Sequence, residues 1–185
     1  MGSFVQLGSH SLNGYERNKL YRNLGRGLPG ADSVPRFADD SYLAGADRIE
    51  DGRGAAVTDI DRDGDLDIVV QSYKRPVVLL VNQGQETGNW LQVKLRGTRS
   101  NRDALGGRVV IEADGRRQNR EVVSSEGYLA GKSRICHFGL GDAERVERLT
   151  VIWPSGARTT LNDVAANQRL VVVEESVFVA GTPDS

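Results

Sequence analysis

Cysteine is almost missing from this sequence. Cys136 stands alone among 185 residues, so no disulfide can form within the chain. It lies in the apolar run Ile135-Cys136-His137-Phe138, where the expected role is that of a small buried hydrophobe and not of a reactive thiol. Histidine is nearly as scarce, with only His10 and His137, and His137 beside Phe138 reads as a structural histidine before a general base. No apolar run approaches the roughly 18 to 20 residues of a membrane span, so membrane insertion is not expected. Neither sign of charge is in excess: 24 basic residues face 25 acidic ones, for a net charge of -1. The arginines, among them Arg22, Arg53, Arg75, Arg96, Arg116, Arg117 and Arg148, are scattered. Nucleic acid is therefore not expected as a partner, because phosphate binding needs a basic face.

Motifs of catalysis are also missing. There is no His/Cys group with zinc spacing and no Gly-x-x-x-x-Gly-Lys-Ser/Thr run to cradle phosphates. Ser124, Ser125 and Glu126 precede Gly127, but no Gly-x-Ser-x-Gly elbow accompanies them. The expectation is that the protein is not an enzyme. The opening stretch, Met1-Gly2-Ser3-Phe4-Val5-Gln6, has neither a charged n-region nor an apolar h-region. It is expected to be a cytosolic start, a chain whose leader has been removed, or a segment of something longer.

Helical periodicity is absent as well; residues 163–167 offer at most one short turn. What the chain has instead is short runs rich in β-branched residues, separated by turn residues and by many of its 22 glycines. These runs are Leu66-Asp67-Ile68-Val69-Val70, Val77-Val78-Leu79-Leu80-Val81, Trp90-Leu91-Gln92-Val93-Lys94-Leu95, Arg108-Val109-Val110-Ile111, Leu149-Thr150-Val151-Ile152-Trp153 and Leu170-Val171-Val172-Val173. The fold class is all-β. Trp90 and Trp153 fall on alternating strands and are expected in the core, with Trp153-Pro154-Ser155-Gly156 as a strand ending in a turn. Ser100-Asn101-Arg102-Asp103, ahead of Gly106-Gly107, reads as a turn whose Asn and Asp bond their own backbone.

One internal repeat is visible. Leu20-Tyr21-Arg22-Asn23-Leu24-Gly25 aligns with Leu79-Leu80-Val81-Asn82-Gln83-Gly84 at a constant offset of 59 residues. A period of that size, in strands and turns, predicts propeller-like or stacked β units. Only about one and a half units fit before the composition changes at residues 84–89. The predicted division is a repeat region over residues 1–88, a second β domain of sandwich type over 89–175, and a tail over 176–185. Bare strand edges at residues 19–23 and 77–81 then call for the second domain, a second copy or further repeats to cover them.

The strongest chemical signal is Asp59-Ile60-Asp61-Arg62-Asp63-Gly64-Asp65-Leu66-Asp67. Carboxylates at positions 1, 3, 5 and 9 with glycine at 6 match the start of a calcium loop, and the backbone carbonyl of Asp65 at position 7 can add an oxygen. Calcium is a hard cation that takes six to eight oxygens, and so many carboxylates on one loop repel each other without a cation. The predicted metal ligands are thus Asp59, Asp61, Asp63, Asp65 and Asp67, with calcium as the cofactor. Position 12 is Val70, where an EF-hand carries glutamate, and the loop leads into a strand.

A loop of this kind running into a strand, preceded by Gly52-Arg53-Gly54-Ala55-Ala56-Val57-Thr58, resembles the FG-GAP or VCBS-type repeat of integrin-like propellers. The second half resembles the ASPIC and UnbV domain. The motifs that carry this are Asn89-Trp90-Leu91-Gln92-Val93-Lys94-Leu95-Arg96-Gly97, Ser100-Asn101-Arg102-Asp103-Ala104-Leu105-Gly106-Gly107, Gly127-Tyr128-Leu129, His137-Phe138-Gly139-Leu140-Gly141, Trp153-Pro154-Ser155-Gly156 and Asn167-Gln168-Arg169-Leu170. The resemblance implies secretion or a cell-surface location, calcium binding and protein interaction, and implies no established reaction. A protein partner or self-association is expected, with a glycan as a further class of ligand. The other function considered is an accessory protein or enzyme of a biosynthetic pathway, acting on a small molecule or polysaccharide.

Overall fold

A computed structural model describes residues 17–26, 35–49, 51–84, 88–127 and 130–179. His10, the chain start and most of the predicted tail lie outside the described residues. Thirteen strands follow one another: Tyr21–Arg26 (β1), Pro35–Asp39 (β2), Gly52–Thr58 (β3), Asp67–Ser72 (β4), Val78–Leu80 (β5), Asn89–Arg96 (β6), Arg108–Ala113 (β7), Arg116–Glu121 (β8), Ile135–Gly141 (β9), Arg145–Ile152 (β10), Arg158–Ala165 (β11), Gln168–Val173 (β12) and Ser176–Val179 (β13). Among the described residues there is no helix, so none is long and apolar enough to cross a membrane. The all-β expectation holds. The predicted short turn at 163–167 is mostly strand: β11 runs on to Ala165, with Asp163 and Asn167 in the left-handed region at φ 58° and 57°.

The chain divides into two compact units. One comprises Met1–Ala55 and Ile68–Leu80, the other Ala56–Asp67 and Val81–Ser185. In the first unit β1 and β2 pair antiparallel, as do β4 and β5. Buried side chains are few there: Ser41, Ala46 and Ser72. Most of the described large apolar side chains that stay exposed belong to this unit, and Tyr42 and Leu43 are 81% and 85% exposed; Val57, Ile60, Leu66 and Val81 belong to the second.

The second unit holds the core. Two four-stranded sheets, in the orders β11-β10-β7-β8 and β13-β12-β6-β9, face each other in a β-sandwich-like arrangement. Period-two alternation makes this possible, since every second side chain of a strand points to the same face. Leu91, Val93 and Leu95 of β6, Cys136, Phe138 and Leu140 of β9, and Leu170 and Val172 of β12 point inward from one sheet. Val109 and Ile111 of β7 and Val146, Leu149 and Val151 of β10 meet them from the other. The β7–β8 hairpin turns on Asp114-Gly115, with φ 48° and 66°. Two left-handed residues make the tight turn whose twist matches that of paired strands, and glycine adopts that conformation without a Cβ clash.

β6 and β12 pair in parallel, and Asn167 fixes their start. Its backbone N–H donates to the Trp90 carbonyl at 2.6 Å, and its side-chain oxygen accepts the Trp90 N–H at 3.1 Å. Trp153 is buried as expected, and its indole N–H donates to Thr159 Oγ1 at 2.9 Å. Cys136 is buried too, and burial pushes its thiol up to about 11, which leaves it protonated and unreactive near neutral pH.

Since the core belongs to the second unit, stability should follow it. Phe138, with no exposed surface, fills the inside of β9. Phe138→Ala is expected to cost roughly 3–5 kcal/mol in denaturant unfolding, whereas Leu43→Ala should stay within about 0.5 kcal/mol. Equal losses at the two positions would show that the sandwich is not the cooperative core.

Candidate metal centre

β3 ends at Thr58 and β4 begins at Asp67, so the aspartate loop is the connection between them. It belongs to the second unit, although the sequence division at residues 84–89 places it in the repeat region. Carboxylate oxygens of Asp59, Asp61 and Asp67 lie within 4.8 Å of one another. The donor set is oxygen only, which suits a hard cation. Asp63 and Asp65, the other predicted ligands, stand outside this group of three.

Each carboxylate also organises the loop backbone. Asp59 Oδ1 accepts the Arg62 N–H at 2.7 Å, and Asp63 Oδ1 accepts the Asp65 N–H at 2.8 Å. Asp67 is 1% exposed, and its two oxygens accept the Ile60 N–H at 2.8 Å and the Asn82 N–H at 2.9 Å. Asp67 therefore ties the loop to the segment that follows β5. Each oxygen keeps lone-pair capacity for a cation beside these bonds. The Asp65 carboxyl is pushed above its usual value, first by burial and then by the negative charge of Asp63, with smaller contributions from Asp59 and Asp61.

The outer face of the β12-β6-β9 sheet holds the loop in place. Arg169, Gln92 and His137 are neighbours in register across β12, β6 and β9. Gln92 is 2% exposed; its amide nitrogen donates to Asp59 Oδ2 at 2.6 Å, and its oxygen accepts from Arg169 Nε at 2.8 Å. With donor and acceptor both engaged, a buried amide is tolerated here. His137 Nε2 lies 2.8 Å from the Gly64 carbonyl, so that nitrogen carries the proton and donates. His137 is thus a structural histidine, as the sequence suggested.

Trp90 corrects one expectation. It is half-buried on the outer face of the sheet and not in the sandwich core, and it stacks on His137 with ring centroids 6.4 Å apart and planes at 14°. The turn at Gly64 sits against it. A Cβ on Gly64 would come within 1.9 Å of the indole nitrogen, and Gly64 has φ +100°. Glycine is needed there for the backbone conformation and for the close approach together. The partners missed from sequence are therefore Gln92 and Arg169, and the signal available for Gln92 was a polar residue amid the apolar run of β6.

The polar cluster at Ser100 is also built as a turn, with an additional partner. Asn101 exchanges side-chain hydrogen bonds with the backbone of Leu105 at 2.8 and 3.0 Å, as expected of a turn, and Asp103 pairs with Arg134 at 2.6 Å. Glu174, 7% exposed, anchors the whole segment. Its Oε2 accepts the successive N–H groups of Thr98, Arg99 and Ser100 at 2.9, 2.7 and 2.7 Å, and its Oε1 accepts the hydroxyls of Ser100 and Ser155. Burial pushes this carboxyl up, but the hydrogen bonds from Ser100, Ser155 and Thr98 outweigh it and hold it down at about 2.

Residues 97–177 match the family described as ASPIC and UnbV. Across a longer stretch the chain is similar to cartilage acidic protein 1 of Homo sapiens, 35% identical over 128 residues, which is 66% of this chain and 19% of that protein. The Xenopus tropicalis protein of the same name is 34% identical over 109 residues, 57% of this chain and 16% of that protein. The chain therefore spans less than a fifth of the length of these curated relatives. The ASPIC and UnbV part of the expected resemblance is supported by both comparisons.

Two outcomes follow from the geometry. Gly64→Ala should destabilise the second unit by about 1–3 kcal/mol through strain and overpacking, and the penalty should shrink in a Trp90→Ala background. Additive penalties in that double-mutant cycle would deny the contact. Glu174 has a folded-state pKa below its ordinary 4.5, so its contribution is full above that value and is lost as pH falls toward about 2. The stability gap between the protein and Glu174→Gln should thus be widest near neutrality and close on acidification; a gap independent of pH would reject the assignment.

Proposed function

We propose that this chain is a calcium-stabilised β module of extracellular or cell-surface type that acts by binding other molecules and not by catalysis. The observation that carries the reading is the gathering of the Asp59, Asp61 and Asp67 carboxylates within 4.8 Å on a loop of calcium-loop spacing. In this reading the loop is an FG-GAP or VCBS-type repeat element contributed by residues 1–88. It is seated on the sandwich of the ASPIC and UnbV-like domain, residues 89–175. Asp63 and the backbone oxygen of Asp65 complete the ligand set, for which calcium's need of six to eight oxygens is the reason. Similarity to proteins named cartilage acidic protein 1 supports the extracellular placement. A partial propeller remains the proposed architecture of the repeat region, closed by repeats outside this chain or by a second copy.

The exposed apolar side chains of the first unit, Tyr21, Phe37, Tyr42 and Leu43 among them, support a protein partner or self-association, because apolar surface left in water gains from contact with another surface.

Isothermal titration should give a calcium dissociation constant of roughly 10⁻³ to 10⁻⁵ M, weaker than loops with a bidentate glutamate at position 12. Calcium at about a hundred times that constant should add about 2.7 kcal/mol to stability. Trp90, resting on Gly64, should report the titration as a change in intrinsic fluorescence. Asp61→Ala with undiminished binding, or an unfolding curve unchanged by chelator, would refute the metal assignment.

A further inference from the structure

A cavity of about 440 Å³ lies in the second unit at the margin of the sandwich, where Val122 and Cys136 of the core contribute to its lining. Its floor is the outer face of β9 and β6, with Ile135, His137, Gly139 and Gln92. Val57, Thr58, Asp59 and Leu66 form one wall, and the end of β8 with the segment leading into β9 forms another. The volume falls within the usual range of small-ligand sites. Leu66 and Val57 expose 37% and 47% of their surface, so part of the lining is apolar and open to solvent.

The charged groups around the cavity are unequally committed. Lys132 is paired with Glu126, and Arg134 with Asp103. Asp59 receives the Gln92 amide and the Arg62 N–H, and Glu121 is a further carboxylate of the lining. Two guanidinium groups remain without a carboxylate partner among the described residues: Arg120 and Arg169. Arg169 spends Nε on Gln92, which fixes its plane and leaves both terminal nitrogens to donate. Arg120 lies over the Phe138 ring at 5.5 Å and gives one terminal nitrogen to the Asn119 carbonyl, so Nε and the other terminal nitrogen are free at its edge. The planar guanidinium fork is the donor geometry that matches an oxyanion.

We propose that this cavity binds a small organic anion, with its carboxylate or sulfonate on Arg120 and Arg169 and an apolar body against Val57, Leu66 and Ile135. The site adjoins the aspartate loop, since Asp59 lines the cavity and Arg169 is linked to it through Gln92, but it does not require a bound cation. It uses the guanidinium groups and the apolar wall, not the gathered carboxylates. The same chemistry is offered by a free aromatic or aliphatic acid and by the C-terminal carboxylate of a polypeptide ending in an apolar residue.

Nuclear magnetic resonance of the ¹⁵N-labelled full chain distinguishes these sources. The probes are 1-naphthoate, its neutral analogue 1-naphthamide, and a short peptide with a free C-terminal phenylalanine, each titrated with chelator and again with calcium. The expected result is that 1-naphthoate shifts the backbone signals of Arg120, Ile135, His137 and Arg169, and that 1-naphthamide does not. Arg120→Gln and Arg169→Gln should each weaken binding by about tenfold or more, as the loss of one charged hydrogen bond requires. The thermal midpoint of Arg120→Gln, whose side chain is exposed, should be close to that of the parent, so weaker binding there cannot be misfolding. Shifts with the peptide alone would keep the site and assign the anion to a chain end. Binding of the amide as tight as the acid, shifts only elsewhere on the sandwich, or affinity undiminished in both variants would overturn the proposal. Loss of calcium binding with naphthoate binding intact would sink only the metal reading.

Discussion

Crowded negative charge on a short loop is the constraint around which the second unit is arranged. Three carboxylates within 4.8 Å repel one another, and the loop that bears them cannot relax by splaying. It is held at both ends and in the middle. Asp67 is fastened by two backbone donors, Asp59 by the buried Gln92 amide, and the Gly64 turn by His137 and Trp90. Each fastening adds a donor or a packed ring and no further negative charge. The result is a concentration of acceptors fixed in position, a group that could hold a hard cation.

The two faces of one sheet separate the work. Inward residues of β6 and β9 make the apolar core; the outward residues of the same strands, Trp90, Gln92 and His137, carry the loop. This division follows from period-two alternation and nothing else. It also explains why Gln92 can be buried while polar. It faces the loop and not the core, and its neighbours supply one acceptor and one donor of the right kind.

Much of this was legible in the sequence. Alternation in Trp90 through Leu95 and in Leu149 through Trp153 announced strands, and the aspartate spacing announced an oxygen-rich loop before a strand. What escaped was everything decided by long-range register. Strand β8, Arg-Arg-Gln-Asn-Arg-Glu, has no apolar residue, so only its partner β7 and the Asp114-Gly115 turn identify it. Trp90 shows the same limit. A tryptophan on an alternating strand points to one of two faces, and the sequence does not say which face is covered by a loop some 26 residues earlier at Gly64. The role of Glu174 was equally hidden, because its partners at Thr98 to Ser100 lie about 75 residues away.

The placement of the loop decides what a bound ion would be coupled to. Had the loop packed only within the first unit, a bound cation would order a region with few buried side chains, and the energy would stay local. Its partners instead lie on β6, β9 and β12, the same strands whose inner faces build the core. A cation held at Asp59 would thus be linked through Gln92 to Arg169 by hydrogen bonds between adjacent strands. Coupling by such a short physical chain needs no conformational change in the sandwich, only a difference in ion affinity between the folded and unfolded loop. Hydrogen bonds therefore join the loop to the sandwich, although the sequence motifs that signal them lie on either side of the composition change at residues 84–89.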